Sequence, residues 1–358
     1  MKILITEFTG LGNLILSASI FERALEFKNL KFGIIGNNKF EGLNFAKSYD
    51  VDVISFSNFR NSLKKIKQFD YFVVLPASNP PKLLFLFIFF FTKLKIIQPN
   101  YFGKKGSYIT LIFFRLIKLL DKIFNKIKYV KIELNKHEIN ANFEMIGQIV
   151  SEFNQNKIYK YYPQIKNLTL SSLFIEKNKL KKKKYLVVQP LCSSNGLSAK
   201  NYDFFHMKKL LDSIESDIVL IGDGNEKLSF EKIINIIKPN IFNLMGKTSF
   251  KELCEVIYFS KGVISLESGI MHLCSYLKKK NIVIHGLSDL NKVKTFTKTT
   301  KYISKFVECS PCANSWPHDT SKKFQDDIEA FKMCDRNLVC MTSIDPLEIN
   351  IAVKSFFN

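Results

Sequence analysis

The sequence predicts an α/β protein made of two doubly wound domains, each with a parallel sheet. Three observations predict it. Short apolar runs alternate with helical patterns along most of the chain. The alternation occurs twice, on either side of a polar, Lys-rich stretch that ends in "KNKLKKKKYLVVQP". And 358 residues, 46% of them hydrophobic, are too many for one compact domain and enough to bury two cores.

In the first half "KILIT" reads as a buried strand, and "LILSASIFERALEF" (residues 14–27) carries apolar residues at helical spacing. "KFGIIG", "VDVISF", "DYFVVL" and "KIIQPN" continue the strand series, and residues 135–152 read as a helix. In the second half the strands are "YLVVQP", "DIVLIGDG", "IFNLMG", "GVISLESG" and "NIVIHG". Helices are expected over about 203–214, in "SFKELCEVIYFS" with Ser249 as N-cap, in "IMHLCSYLKK", and in "SIDPLEINIAVKSFF". The expected organisation is a first domain over 1–165, a linker over 166–184, a second domain over 185–342, and a C-terminal helix over 343–358 packing back on the first domain. Ligands of such sheets bind beyond the carboxyl ends of the strands. That rule selects the loops after "KILIT", "VVQP", "IGDG" and "VISL".

The formal net charge of +21 implies an anionic partner, with a compositional bias toward Lys, Asn, Ile and Phe as the alternative source. Met1 opens directly into a strand, so no secretory leader is expected. No apolar run reaches the 18 residues of a spanning helix. Seven cysteines in such a chain point to a reducing, cytoplasmic setting.

Five stretches could carry chemistry. In "LESGIMHL" a strand runs through Ser268 and Gly269 into a helix, a place where backbone N–H groups and the helix dipole receive phosphate. An ordinary strand-to-helix turn with Glu267 complementing the dipole fits equally. In "LCSSNGLSAKNY" the hydroxyls of Ser193, Ser194 and Ser198 with the charge of Lys200 suit a phosphate or pyrophosphate, although one loop Lys in a Lys-rich chain says little by itself. "IGDGNEK" lacks the dinucleotide-binding glycine spacing, as does "GLGN". Cys309 and Cys312 form a C-x-x-C pair, and with Cys334 and Cys340 they could hold a structural zinc, His318 being a substitute ligand; free thiols or disulfides are the alternative. Finally, residues 82–131 hold eleven Lys or Arg and one acid, Asp121, interleaved with "LLFLFIFFF" and "LIFFRLIKLLDKIF". Helices with an apolar face and cationic rim lie on anionic membrane surfaces. Core-facing helices with solvated lysines are the other reading. No nucleic-acid motif accompanies the charge, so nucleic acid is not expected as a partner.

Taken in order, these motifs resemble family 9 of the glycosyltransferases, the heptosyltransferase-like enzymes of lipopolysaccharide assembly. The matching segments are "MKILITEFTGLGNLILSASIFERAL", "HEINANFEMIG", "VVQPLCSSNGLSAKNY", "NLMGKTSFKELCEVIYFSKGVISLESGIMHLCSYL" and "ECSPC". The resemblance implies a GT-B fold, two Rossmann-like domains facing a central cleft. It further implies an inverting transfer that needs no catalytic metal or other cofactor. The donor is a nucleotide-sugar, ADP-heptose by family precedent, and the acceptor a lipopolysaccharide-core or other lipid-linked glycan at the inner face of the cytoplasmic membrane. Ser268, Gly269, Met271 and His272, with Glu267, would line the donor. Lys200 would neutralise its diphosphate, assisted by Ser193 and Ser194. Thr9, Gly10, Gly12 and Asn13 would form the acceptor loop. The sequence departs from the family pattern twice. The loop reads Gly12-Asn13 where the family has Gly-Asp, so the usual base is missing, and "DSG" is "ESG" at Glu267. An amide cannot take the acceptor's proton at neutral pH. Glu7, at the end of the first strand, is the expected replacement. A nucleotide-sugar or glycan-binding protein without turnover is the alternative that Asn13 supports.

Overall fold

The computed structural model describes residues 1–37, 43–100, 108–133, 136–154, 158–164, 169–192, 198–233, 239–313, 323–324 and 327–357. The chain divides into two compact units, one formed mainly by Met1–Pro163 and the other mainly by the chain from Gln164 onward.

The first unit holds a six-stranded sheet of β1 (Lys2–Glu7), β2 (Lys31–Gly36), β3 (Asp52–Ser55), β4 (Tyr71–Val73), β5 (Lys95–Pro99) and β6 (Ile127–Val130) in the order β3-β2-β1-β4-β5-β6. The second holds β7 (Tyr185–Val188), β8 (Asp217–Leu220), β9 (Ile241–Asn243), β10 (Gly262–Leu266), β11 (Asn281–Ile284) and β12 (Thr300–Ile303) in the order β12-β11-β10-β7-β8-β9. All pairings are parallel. Each order is the doubly wound one, and each reverses once: between β1 and β4, and between β7 and β10.

Central strands such as β7 and β10 are buried along their whole length, which is why they read as unbroken apolar runs. Two strands escape the sequence reading. β6 is "IKYV" and β12 is "TKYI", each at the edge of its sheet with an exposed lysine, Lys128 or Lys301. A charged residue on an edge blocks further strand pairing, and it also breaks the apolar pattern that announces a strand.

Between β4 and β6 lie the two helices read from the basic, aromatic stretch. The Lys82–Phe91 helix buries Leu84, Phe85, Ile88 and Phe89 against the sheet core. Its carboxyl end is capped by Lys126, whose Nζ donates to the carbonyls of Ile88 at 2.9 Å and Phe89 at 2.7 Å, and also to that of Thr92. Asp121, in the Tyr108–Phe124 helix, accepts from the backbone N–H groups of Lys126 and Ile127 at 2.8 and 3.0 Å and so ties that helix to β6.

The C-terminal helix, Pro346–Phe356, packs on the Phe204–Ser213 helix and on β11, all within the second unit, where the sequence reading had it returning to the first domain. Phe357 seals the contact. Its ring lies so close to Gly262 that a Cβ there would approach it to 2.5 Å.

One glycine sets the geometry of the first reversal point. β2 ends at Gly36, in register with Glu7 at the end of β1, and a Cβ on Gly36 would lie 1.9 Å from the Glu7 carbonyl oxygen. Any side chain there forces the strands apart. Gly36→Ala is therefore expected to cost about 1–3 kcal/mol, as other overpacked sites do, read as a lower midpoint in urea or thermal unfolding.

Candidate active site

Both reversal points carry polar residues at the ends of otherwise apolar strands. In the first unit β1 ends in Glu7, which is 5% exposed. Its Oε1 accepts from the Thr9 backbone N–H at 2.9 Å and from the Thr9 hydroxyl. Asn13 Nδ2 in turn donates to Thr9 Oγ1 at 2.9 Å. Asn13 thus supports the loop that holds Glu7. It does not open the helix, which begins at Leu11 with Gly10 as its N-cap in extended conformation. Burial raises the Glu7 carboxyl to about 7 against the opposing effect of the Thr9 hydrogen bonds.

A second buried carboxyl stands near it. Glu138, the first residue of the Glu138–Gly147 helix, is raised to about 8 by burial and then by the charge of Glu7. Sequence reasoning quoted this segment but gave Glu138 no role. An acid at the first position of a helix reads as a complement to the dipole, and that pattern hides a buried one.

In the second unit the last registered pair of β10 and β11 is Leu266 with Ile284, so the next residues, Glu267 and His285, emerge side by side. Glu267 Oε1 accepts from Lys200 Nζ at 3.0 Å, with both side chains largely buried. Glu267 Oε2 lies 3.6 Å from His285 Nε2, beyond hydrogen-bond reach, and His285 Nε2 is instead 2.8 Å from the Ser288 carbonyl. Burial pulls the Lys200 ammonium down, but Glu267 and then Asp327 more than offset it and hold it above the ordinary lysine range. Ser198 shapes the loop: its Oγ donates to Asp327 and accepts from the Lys200 N–H at 3.1 Å. Ser268 is the N-cap of the Gly269–Tyr276 helix, accepting from Ile270 N–H at 3.2 Å, and its hydroxyl donates to Gln189 Oε1 at 2.7 Å. Met271 and His272 are buried on that helix. Ser193 and Ser194 lie outside the described residues. His285, Gln189 and Asp327 were not singled out from sequence. For His285 the signal was available, because "NIVIHG" places it at a strand's carboxyl end beside "ESG".

The zinc expectation does not hold among the described residues. Cys309, Cys312, Cys334 and Cys340 are all free thiols, and no group of three or more His, Cys, Asp or Glu is arranged to hold a metal ion. They do share a neighbourhood: burial, then the charges of Cys312, Cys309 and Cys334, push the Cys340 thiol up to about 12. His318 lies outside the described residues.

The family model for "Glycosyltransferase family 9 (heptosyltransferase)" matches residues 121–319, more than half of the chain and the whole Lys200–Glu267 region. The chain belongs to glycosyltransferase family 9. Within the family, lipooligosaccharide heptosyltransferase 2 of Campylobacter jejuni serotype O:2 is 31% identical over 161 residues, 43% of this chain and 50% of the relative. The chain thus spans about half the length of this curated relative. Among solved structures, Escherichia coli ADP-heptose LPS heptosyltransferase II superposes with a TM-score of 0.68 at 14% identity, covering 100% of this chain and 98% of that one. The family 9 glycosyltransferase of Veillonella parvula gives 0.70 at 12% identity, covering 99% and 97%. At such identities the likeness is one of fold, and the fold is GT-B, as the resemblance implied.

The Lys200–Glu267 pair also yields a stability test. Removing one partner of a buried pair leaves an uncompensated charge and costs about 3–5 kcal/mol. Lys200→Met is expected to lose that much, and adding Glu267→Gln to it to recover part, both measured by urea unfolding.

Proposed function

We propose that this family 9 protein is an inverting glycosyltransferase that moves heptose, or a related sugar, from a nucleotide-sugar to a lipid-linked glycan of the lipopolysaccharide-core type. One observation carries the reading. Lys200 is buried yet held charged by Glu267 at the reversal point of the second sheet, inside the stretch that matches the family. A fixed positive charge there stabilises a departing diphosphate. It supplies in protein form the charge that a catalytic metal would otherwise bring, so no metal is required. ADP-heptose is the donor by likeness to the E. coli enzyme of that name.

In the reaction, Glu7 takes the proton of the acceptor hydroxyl. The freed oxygen bonds to the anomeric carbon on the face opposite the diphosphate, and the bond to the diphosphate breaks with its electron pair. A single displacement of this kind inverts the anomeric centre. Glu7 is suited to the role because burial places it close to the operating pH, where a general base works best. Only the ionised form is a base, so the rate is expected to fall about tenfold per pH unit as the pH drops below about 7. Glu7→Gln is expected to lower kcat by about 10²–10⁴-fold, with donor binding, read by thermal shift with ADP-heptose, retained. Retained transfer in Glu7→Gln would refute the assignment. Donor binding without turnover in the wild type, over a panel of lipid-linked acceptors, would favour the binding-protein reading that Asn13 supports.

The lipid-linked acceptor is supported by the surface of the Tyr108–Phe124 helix. Ile112, Leu116, Leu119 and Ile123, spaced along one helical face, are 46–78% exposed. Arg115, Lys118 and Lys122 flank them, also exposed, and Leu83, Phe90 and Phe91 of the preceding helix add further exposed apolar surface. No described helix is long and apolar enough to cross a membrane. An apolar stripe with a cationic border fits the interface of an anionic leaflet. This supports the reading of a protein attached to the inner face of the cytoplasmic membrane, where the family resemblance puts the acceptor. Leu119→Glu with Ile123→Glu is expected to reduce co-sedimentation with phosphatidylglycerol vesicles at least tenfold without lowering the melting temperature, since neither side chain is buried.

A further inference from the structure

Three polar atoms at the carboxyl end of the second sheet have no role in the mechanism above. Glu267 Oε2, His285 Nδ1 and Ser288 Oγ are each buried without a hydrogen-bond partner among the described residues. The residues that carry them are 4%, 7% and 3% exposed. They form one cluster. β10 and β11 bring Glu267 and His285 side by side, with 3.6 Å between Oε2 and Nε2, and His285 Nε2 is 2.8 Å from the Ser288 carbonyl. Buried polar atoms left unpaired cost stability, and three of them in one place point to a partner that arrives from outside.

The chemistry of the cluster defines that partner. A carbonyl only accepts, so the Ser288 carbonyl claims the proton of the neutral His285 ring for Nε2 and leaves Nδ1 as a lone pair. Glu267 Oε2 belongs to a carboxylate whose other oxygen is paired with Lys200, and it too only accepts. Ser288 Oγ can accept or donate. Two hydrogen-bond acceptors and one hydroxyl select a ligand rich in O–H donors. An ionised phosphate or carboxylate has no proton to offer them and is repelled by Glu267. The loop that carries His285 and Ser288 is also held firmly. The His285 N–H donates to the Ile303 carbonyl at 3.0 Å and the Cys312 N–H to the Leu287 carbonyl at 3.1 Å, while the Ser310 hydroxyl donates to the Gly286 carbonyl. Side chains fixed in this way discriminate between hydroxyl positions. The next residues outward, Ser268, Gly269 and Asp289, are partly exposed, so the cluster lies just beneath the surface at the strand ends.

We propose that His285, with Ser288, is a specificity-determining residue for the donor, receiving hydrogen bonds from hydroxyls of the transferred sugar beside Glu267. This rests on the reading of Lys200 as the group that holds the diphosphate. Glu267 links the two places: one of its oxygens is bonded to Lys200 and the other lies next to His285. In a nucleotide-sugar the sugar is bonded directly to the diphosphate. A donor whose diphosphate lies at Lys200 therefore brings its sugar to the cluster.

The test is calorimetric titration of wild type, His285→Leu and Ser288→Ala with ADP-heptose and ADP, and with UDP-, GDP- and dTDP-hexoses and their bare nucleotides. The quantity read is the affinity with the sugar divided by the affinity without it. Losing one hydrogen bond to a sugar hydroxyl is expected to lower that ratio about three- to tenfold in His285→Leu and about two- to fivefold in Ser288→Ala. The bare nucleotide should bind both variants within about twofold of wild type. Ser288→Ala removes only an unpartnered hydroxyl, so it decides the matter where His285→Leu does not fold. A ratio unchanged in the folded variants overturns the proposal. So does an equal loss for nucleotide and nucleotide-sugar, which makes the cluster merely structural. Both of those outcomes leave the donor reading standing, because wild type still binds its nucleotide-sugar. Wild type that binds none of the ligands refutes the donor reading itself, and the proposal falls with it.

Discussion

Parallel strands covered by helices on both faces leave little room for charged side chains along their length. That constraint confines the chemistry of this protein to strand ends. β7 and β10 carry no charged residue, and the first polar residues after them are Gln189 and Glu267. β1 is apolar from Ile3 to Ile5 and ends in Thr6 and Glu7. The doubly wound order adds a second requirement: neighbouring connections must diverge at the reversal point, and only there can a ligand reach the strand ends. Both of these polar clusters sit at such points.

The two clusters solve the cost of burying charge in opposite ways. Glu267 is given a cation, Lys200, so a charge pair persists in the second unit. Among the described residues Glu7 has the hydrogen bonds of Thr9 and no cation, and the charges of Glu7 and Glu138 oppose each other. The first arrangement fixes charge, as the role proposed for Lys200 in stabilising a leaving anion requires. The second leaves the charge state movable near neutrality, as the role proposed for Glu7, accepting and then releasing a proton, requires. Asn13 belongs to this second design. Through Thr9 it orders the loop on which Glu7 depends while adding no further negative charge.

Much of this was legible in the sequence because the signals were local. Apolar runs located ten of the twelve strands, and Gly, Ser and Lys at their ends located Lys200 and Ser268. What stayed hidden depended on distant partners. The strands "IKYV" and "TKYI" carry their information in the neighbour each pairs with, not in their own pattern. Glu138 looks like any acid at a helix start until its burial is known. The partnership of Glu267 with Lys200 joins loops 67 residues apart. The cysteines show the same limit: their spacing brings Cys309, Cys312 and Cys334 close enough to influence Cys340, yet among the described residues no three such groups are arranged to hold a metal ion.

Lys126 has a role beyond capping a helix. By binding the last carbonyls of the Lys82–Phe91 helix while Asp121 holds the end of the next, it clamps two apolar helices to the sheet before anything docks on them. Amphipathic segments that fold only upon a bilayer lose conformational entropy at that moment, and their affinity is reduced accordingly. A preassembled face avoids that loss. Such a face cannot mould itself to lipid packing defects, so the membrane attachment proposed above should follow the charge of the leaflet more than its curvature.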